Sequence, residues 1–518
     1  MRVDLNDLPR DIALLQDLVR DLVGEIESKQ TLLSEAEAET ERLRLILKQL
    51  QRLQFGRRSE RLDPDQFELG IDDLGADIGR AEERSPVPDS IPDEASNDAK
   101  SVRALPDHLP REELILETET TCPCCGGALH PVGESVSEML DWVPPQVKVI
   151  RIRRPKYGCR TCGIIHQAPA PERPIAKGMA TSGLIANVLV AKYCDHLPLY
   201  RQAQMFARHG VEIDRSTLAN WVGGACWWLE ALHERLAAHV FAGTEIFADD
   251  TPIPVLDPGR GRTKTGRLWV YAREQSSWDG PDPPAAVYFY SPDRKGERPA
   301  AHLKGFRGVL QVDGYAGFER LTATGDVVLA ACWAHARRKF YELHEAIGSP
   351  IAAEALRRIG DLYAIEARIR GQSSEVRQRI RGAQSRPLID QMKRWLDQEL
   401  ARIPSRGRLA EAIRYALIRW DSLCRFLDDG RIELDTNPVE RAIRPVALGR
   451  KNHLFAGSDG GGERWAVVCS LIETAKLNEV EPYAYLKDIL QRLVDGHPMS
   501  RIDDLLPWNW QKLQPVKP

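Results

Sequence analysis

The sequence lacks long apolar runs, a strong net charge and internal repeats, and these absences exclude several classes of protein. No run reaches the roughly 18 apolar residues that a membrane-spanning helix needs, so we expect no membrane partner. The opening residues MRVDLNDLPRDIALL lack the uninterrupted apolar core of a secretory signal, and a cytoplasmic protein is therefore expected. The net charge of −4 gives no overall indication of nucleic-acid binding.

The composition is that of a soluble protein with several domains. The chain has 518 residues, of which 43% are hydrophobic and 28% charged, and both values are typical of globular proteins. The charge is uneven, because an acidic stretch at 63–119 offsets basic clusters at 151–156 and 337–339. Local charge governs a partner more than the total does, so these basic clusters leave nucleic acid open as a partner.

A heptad pattern occupies the first 62 residues. All of its core positions are apolar except Lys29 and Thr40, which could set the register of a coiled coil. The 3.5-residue period favours self-association over the alternative, an amphipathic helix that packs on its own protein. The core positions are Ile12, Val19, Ile26, Leu33, Thr40 and Leu47 in one series and Leu15, Leu22, Lys29, Ala36, Leu43 and Leu50 in the other.

Two C-x-x-C pairs follow a segment at 63–110 whose Asp, Glu, Pro, Gly and Ser content predicts a flexible linker. In a reducing compartment this spacing indicates metal binding before a disulfide, and a closed tetrahedral set is typical of structural zinc. Cys124 could replace Cys122, and redox-active or simply buried cysteines are the alternative. The stretch VKVIRIRRPKYGC at 147–159 alternates apolar and basic residues and predicts a strand. The predicted zinc ligands are Cys122, Cys125, Cys159 and Cys162.

The segment LPLYRQAQMFARHGVEIDRSTLANWVGGA resembles a helix-turn-helix. The pattern predicts a first helix at 199–208 that is closed by a left-handed Gly210. Ser216 is the expected N-cap of the second helix. That helix would present Thr217, Asn220 and Trp221 to DNA, and an ordinary helical hairpin is the alternative.

Three acidic residues lie at the ends of predicted elements. EIFADDTPIPVL is a strand whose apolar run ends on Asp249 and Asp250, and GVLQVDGYAGF is a fourth strand that ends on Asp313. Two strands and the end of a helix separate them, an order found in ribonuclease H-like folds, in which the first and fourth strands are neighbours. Alternation along a strand puts only one of the first two aspartates on the active face, and Asp249 is preferred. Glu440 follows in the first turn of a helix that Thr436 or Asn437 caps.

Such a cluster suits phosphodiester chemistry. A pair of Mg²⁺ ions roughly 4 Å apart clamps the attacking and leaving oxygens of an in-line displacement. Mg²⁺ prefers carboxylate oxygens, and three carboxylates repel each other unless cations join them. Each acid alone has an ordinary explanation, since Asp before Gly is common in turns and Glu favours a helix N-terminus.

Together these motifs resemble the insertion-sequence-66 family of DDE-type transposases. The resemblance covers nearly the whole chain and implies catalytic metal ligands at Asp249, Asp313 and Glu440, although the first motif has Asp-Asp-Thr where the family more often has Asp-Glu-Thr. Cys332 and His335 match a Cys-x-x-His feature of several DDE enzymes, for which a structural histidine and a position near the scissile phosphate are both open. The motifs are LQFGRRSERL, CPCCGG with KYGCRTCG, LYRQAQMFARHGVEIDRSTLANWV, ADDTPIPVL with GRLWVYAR, QVDGYAGF, CWAHARRKF, TNPVERAIRPVALGRKNHLFAGSDGG and SLIETAKLNEVEPYAYLKDIL with LLPWNW.

Pattern and resemblance together predict a multidomain α+β protein. The stretch from Asp313 to Glu440 is far longer than one helix needs, so a helical insertion is expected inside the catalytic fold. The expected order is a coiled coil (1–62), an acidic flexible linker (63–110), a zinc-binding domain (111–172), a helical helix-turn-helix-like domain (173–240), a ribonuclease H-like catalytic domain (241–470) with its insertion at about 344–430, and a C-terminal helical segment (471–518).

The resemblance implies a DNA transposase that binds terminal inverted repeats and cleaves and transfers strands with two Mg²⁺ or Mn²⁺ ions. Implied partners are transposon ends, target DNA, a second copy of the chain and accessory proteins of the same element. The alternatives are a metal-dependent nuclease of the same fold and a catalytically inactive zinc-containing DNA-binding protein. Candidate DNA contacts, which could equally form a solvated charged face, are Arg153, Arg154, Lys156, Thr217, Asn220, Arg441, Arg444, Arg450 and Lys451.

Overall fold

The computed structural model describes residues 147–158, 165–257, 259, 261–453 and 455–510. The predicted coiled coil, the linker and the four predicted zinc ligands lie outside these residues. Within the described part of the chain, no helix is both long enough and apolar enough to cross a membrane.

A short hairpin is the first regular structure. Strand β1 (Lys156–Gly158) pairs antiparallel with β2 (Ile165–Gln167), and Lys156 lies opposite Gln167. The prediction of a strand across 147–159 was wrong for 147–155, where the chain forms no regular element. Pro155 explains the boundary, because it has no N–H to donate to a ladder and pairing begins directly after it.

Three helices precede the main sheet. The prediction for the second helix and for Gly210, whose φ is +74°, is confirmed. The predicted cap at Ser216 is wrong, because the backbone is already extended at Asp214 (φ −65°, ψ 145°) and the third helix begins one residue earlier than Ser216. The helices are α1 (Ser182–Tyr193), α2 (Leu199–Arg208) and α3 (Arg215–Phe241).

A five-stranded mixed sheet forms the centre of the described structure. Its spatial order is β5-β4-β3-β6-β7. The pairs β5–β4 and β4–β3 are antiparallel, and the pairs β3–β6 and β6–β7 are parallel. The first and fourth predicted strands, β3 and β6, are therefore side by side as expected. The strands are β3 (Glu245–Asp257), β4 (Arg262–Arg273), β5 (Ala285–Ser291), β6 (Gly308–Val312) and β7 (Val327–Ala331).

The sheet is buried on both faces. On one face, Phe247, Ile253 and Val255 of β3 belong to a core that also contains α1 and α3. On the other, Ile246 and Ala248 pack with Leu303, directly after α4 (Glu297–His302), and with Phe318 of a 3₁₀ helix (Ala316–Thr324). The side-chain period of two sends successive residues of β3 to opposite cores, and this alternation decides where each acid of the strand points.

A block of helices lies between β7 and the helix that begins at Asn437, and it has its own core. Arg377 is 1% exposed within it and pairs with Glu433 at 2.6 Å. The amide of Glu433 donates to Gln311 of β6 at 2.8 Å, so this buried pair joins the block to the sheet. The block comprises α5 (Trp333–Ile347), α6 (Pro350–Ile369), α7 (Ser374–Ile380), a π-helical turn (Arg381–Ser385), α8 (Arg386–Arg402), α9 (Arg408–Ile418), α10 (Trp420–Cys424) and a 3₁₀ turn (Arg425–Leu427).

Three further helices close the described chain. The side chains of Ser470 and Thr474 accept hydrogen bonds from backbone amides of β5, at 2.9 and 3.1 Å, and fix one helix against this edge strand. An edge strand has unpaired backbone groups, and these two hydroxyls satisfy part of them. The helices are α11 (Asn437–His453), α12 (Asp459–Leu477) and α13 (Pro482–Val494), followed by a 3₁₀ helix (Met499–Leu505).

Candidate active site

The parallel pairing of β3 and β6 brings two aspartates to neighbouring positions, one within β3 and one directly after β6. The parallel register pairs Ala248 with Val312, and the next residues along the two strands are Asp249 and Asp313. Neighbouring strands lie about 4.8 Å apart, so these two acids are adjacent across the β3–β6 pair. The amide of Tyr315 donates to Oδ1 of Asp313 at 2.9 Å and holds the turn that follows.

Asp249 and Asp250 point to opposite faces of the sheet. Asp249 shares its face with Phe247 and Ile253, on the side where α11 packs against β3. Asp250 is on the other face, where its fully buried side chain lies 3.1 Å from Arg267 and 2.9 Å from Arg294. The two acids therefore have different environments, and only Asp249 shares a face with the helix that contains Glu440.

Glu440 is presented by the first turn of α11. The Thr436 hydroxyl donates to its Oε1 at 3.0 Å, and the amide of Glu440 donates to the Thr436 carbonyl oxygen at 3.2 Å. The far end of α11 is tied to β3, because an Nη of Arg450 donates to the Pro252 carbonyl oxygen at 2.7 Å. The helix is thus anchored to the same strand that contains Asp249.

The charges at the site repel each other. Burial raises the pKa of Asp249 well above its ordinary value, and the charge of Asp313 raises it further. A hydrogen bond from the Asp250 amide to Oδ1 of Asp249, at 2.7 Å, opposes this rise only in part. The part of this rise that comes from repulsion between the carboxylates is the part that a bound cation would relieve.

His335 is a basic group whose charge interacts with both Asp249 and Glu440. Its Nδ1 lies 3.9 Å from Oε1 of Glu440. Burial works against the charged imidazolium, but Cys332 and the nearby carboxylates favour it and raise the pKa of His335 to about 10. Without a metal ion, a protonated His335 thus offsets part of the negative charge of the site.

The donor set fits a hard divalent cation. Asp249 and Asp313 are half-buried and adjacent, and they supply only oxygen atoms. Mg²⁺ and Mn²⁺ take carboxylate oxygens and keep several waters, so a partly open site suits them. Glu440 offers a third carboxylate from the side of α11.

The helical block reaches the site, and the sequence analysis missed this contact. The Tyr415 hydroxyl donates to the Asp313 carbonyl oxygen at 2.9 Å, and Arg419 stacks on the Tyr415 ring. Gly314 has a φ of +97°, and a Cβ there would lie 2.7 Å from Nε of Arg419. The D-G pair after β6 indicates the turn, but no local pattern indicates its partners on α9.

The predicted DNA contacts lie in three segments of the described chain. Arg153, Arg154 and Lys156 are exposed at the hairpin, and on α3 Asn220 is exposed while Thr217 is half-buried. Trp221, expected on the DNA-facing side of α3, is instead buried in the core. On α11, Arg441 and Lys451 are exposed and Arg444 and Arg450 are half-buried.

Comparison with known proteins identifies similarity along most of the chain. A family model described as "Transposase IS66 family" matches residues 177–464, and "zinc-finger binding domain of transposase IS66" matches 119–163, a range that contains all four predicted zinc ligands. "IS66 C-terminal element" matches 470–508, and "Transposase C of IS166 homeodomain" matches 42–114.

Full-length relatives are similar over nearly their whole length. The chain is 42% identical over 519 residues to the uncharacterized protein y4jD of Sinorhizobium fredii (strain NBRC 101917 / NGR234), with 97% of each chain covered. It is 38% identical over 536 residues to the uncharacterized protein y4qI of the same strain, with 99% of each covered.

Proposed function

The chain belongs to the IS66 transposase family, and from this premise we propose that it is a DNA transposase that cuts and joins strands at Asp249, Asp313 and Glu440. The family assignment includes a zinc-finger domain and implies a divalent metal at the catalytic domain. The proposal adds the three metal ligands, the choice of two Mg²⁺ or Mn²⁺ ions and the reaction sequence.

One observation supports the catalytic assignment above the others. Two aspartates that lie far apart in the sequence follow directly on paired positions of adjacent parallel strands, and burial together with the charge of Asp313 raises the pKa of Asp249. The strand order β5-β4-β3-β6-β7, antiparallel on one side and parallel on the other, supports a ribonuclease H-like catalytic domain. Asp250, paired with two arginines, is a structural residue in this proposal.

In this proposal the chain's own residues hold the metal ions and position the DNA. Asp249, Asp313 and Glu440 would hold the metal ions, which when bound supply Lewis acidity at the attacking and leaving oxygens. A water attacks the phosphodiester at the element end, and the bond to the element's 3′-oxygen breaks to leave a free 3′-hydroxyl. This hydroxyl then attacks a phosphodiester of the target DNA and displaces the 3′-oxygen of the target strand. Basic side chains of α11, chiefly the exposed Arg441 and Lys451, neutralise phosphates beside the acids.

DNA recognition is assigned to the domains before the sheet. The zinc domain, with Cys122, Cys125, Cys159 and Cys162 around one structural Zn²⁺, presents the exposed basic residues of the hairpin. The α2–α3 pair presents Asn220 as a helix-turn-helix. The predicted coiled coil pairs two copies so that both ends of the element are held together, and accessory proteins of the same element take part.

A strand-transfer assay with labelled transposon ends and a plasmid target tests the proposal. We expect wild-type protein to give cleaved and joined products with Mg²⁺, and Glu440→Gln to give neither while it still shifts the labelled ends in a gel. Glu463→Gln is the matched control, because Glu463 is exposed on α12 and the same change there leaves both activities intact.

The outcome also separates the competing functions. Cleavage without joined products would favour a metal-dependent nuclease. Binding without cleavage by the wild-type protein would favour a catalytically inactive DNA-binding protein. Full activity of Glu440→Gln would contradict the assignment of the third acid.

A further inference from the structure

A second group of potential metal ligands shares Glu440 with the three acids. Cys332 is the N-cap residue of α5 and His335 is one helical turn further on. Together with Glu440 they place one ligand atom each, a thiol sulfur, an imidazole nitrogen and a carboxylate oxygen, within 4.8 Å of one another. Neither strand pairing nor helix packing requires this combination of side chains at one point.

An independent observation also points to a ligand at this position. The Nδ1 atom of His335 is buried and has no hydrogen-bond partner, and it lies 3.9 Å from Oε1 of Glu440. Buried polar atoms in native proteins are almost always satisfied by protein, water or an ion. Cys332, at 2% exposure, likewise directs its sulfur into the protein rather than to solvent.

We propose that Cys332, His335 and Glu440 form a binding site for a borderline-soft divalent ion, with Zn²⁺ as the matching ion. A thiolate and an imidazole select Zn²⁺ over Mg²⁺, which the all-carboxylate set beside them favours. Three protein ligands leave the fourth tetrahedral position open to a water or a phosphate oxygen.

The geometry needs little adjustment. Bonds of about 2.0–2.3 Å to a tetrahedral Zn²⁺ place ligand atoms roughly 3.5 Å apart. The His335–Glu440 separation of 3.9 Å is already close to this value. Rotation of side chains closes the remaining gap to the sulfur, because the half-buried His335 and Glu440 have room that a fully packed core would not give them.

Glu440 belongs to both sites, and this has a consequence for catalysis. A Zn²⁺ ion on Cys332 and His335 engages the carboxylate that the proposed catalytic site also uses. We therefore expect Zn²⁺ to inhibit the Mg²⁺-dependent reaction. Binding of the ion does not rest on the proposed function, whereas this inhibition does.

Metal binding by the full-length protein tests the site directly. Equilibrium dialysis at micromolar Zn²⁺ should give one more zinc per chain in the wild type than in Cys332→Ser, because the zinc domain is unchanged in both. Cys424→Ser is the matched control, since Cys424 is a half-buried free cysteine outside the cluster, and it should keep the wild-type zinc content. Substitution with Co²⁺ should add a thiolate-to-cobalt charge-transfer band that Cys332→Ser loses.

Equal zinc content and equal cobalt spectra in the wild type and Cys332→Ser would overturn the proposal. If Cys332→Ser does not fold, His335→Asn replaces it in the same comparison. Loss of the Zn²⁺ inhibition in Cys332→Ser, with Mg²⁺-dependent strand transfer retained, would support the shared use of Glu440. A fully active Glu440→Gln that binds one zinc fewer than the wild type would refute the proposed catalytic role while leaving the zinc site standing.

Discussion

The two consecutive aspartates of β3 should respond in opposite ways to the same substitution. The side chain of Asp250 is 0% exposed. It is paired with Arg267 and Arg294, whose side chains are 21% and 39% exposed. Asp249 faces Asp313, and burial together with that neighbouring charge raises its pKa. We therefore expect Asp250→Asn to lower stability and Asp249→Asn to abolish cleavage without lowering stability.

The magnitude for Asp250→Asn follows from the exposure of its partners. Breaking a fully buried ion pair costs about 3–5 kcal/mol, whereas an exposed pair contributes about 0–1 kcal/mol. The arginines keep partial access to water, so the cost of leaving them without Asp250 lies between these limits. We expect a loss of about 2 kcal/mol with an intact, though less stable, active site.

The pH dependence of Asp249 has a definite sign. Its folded-state pKa lies above the unfolded value, so the folded protein binds the proton more tightly. The stability from this group is fully present below the unfolded pKa and is lost as pH rises through the folded pKa. Asp249→Asn should remove this loss, and at neutral pH the variant should be as stable as the wild type or more stable.

Thermal unfolding of the wild type and both variants, with and without Mn²⁺, measures these effects. Mn²⁺ should raise the Tm of the wild type and of Asp250→Asn but not that of Asp249→Asn. Cleavage of labelled ends should fall at least a thousandfold in Asp249→Asn only. A destabilised Asp249→Asn, or an inactive but fully stable Asp250→Asn, would show that the two roles have been exchanged.

Further variants test the surroundings of the site. Arg377→Met should lower the free energy of unfolding in urea by about 3 kcal/mol, because it leaves the buried carboxylate of Glu433 without its arginine partner, whereas Glu366 keeps Arg381; a loss under about 0.5 kcal/mol would refute this. Tyr415→Phe removes one hydrogen bond to the Asp313 carbonyl, worth about 1 kcal/mol, and should slow cleavage about fivefold with end binding unchanged. Gly314→Ala, which meets Arg419 at a positive φ, should slow cleavage more than Tyr415→Phe does; equal rates would contradict the close approach.

Local patterns were sufficient for the elements that hold the acids. Apolar runs that end on Asp249 and Asp313 predicted two strands, and β3 and β6 follow them. The helix at Leu199–Arg208 followed from its periodicity and from Gly210. The cap at Ser216 was misplaced because Asp214 is also a favoured cap residue, and only the backbone angles distinguish the two.

Contacts between distant segments could not be predicted in this way. The pairing of Asp250 with Arg294 and the bond from Tyr415 to Asp313 join elements whose relative placement depends on the whole sheet and the helical block. The cluster of Cys332, His335 and Glu440 shows both cases. The Cys-x-x-His spacing is visible in the sequence, but its approach to Glu440 depends on how α5 and α11 lie in the fold.

Anomalous diffraction from crystals of the full-length protein soaked in Mn²⁺ tests the central claim most directly. The account predicts an anomalous peak bonded to carboxylate oxygens of both Asp249 and Asp313, at about 2.2 Å, that is lost in Asp249→Asn and kept in Asp250→Asn. A peak on Asp250 instead, or no peak between Asp249 and Asp313 at saturating Mn²⁺, would contradict this claim.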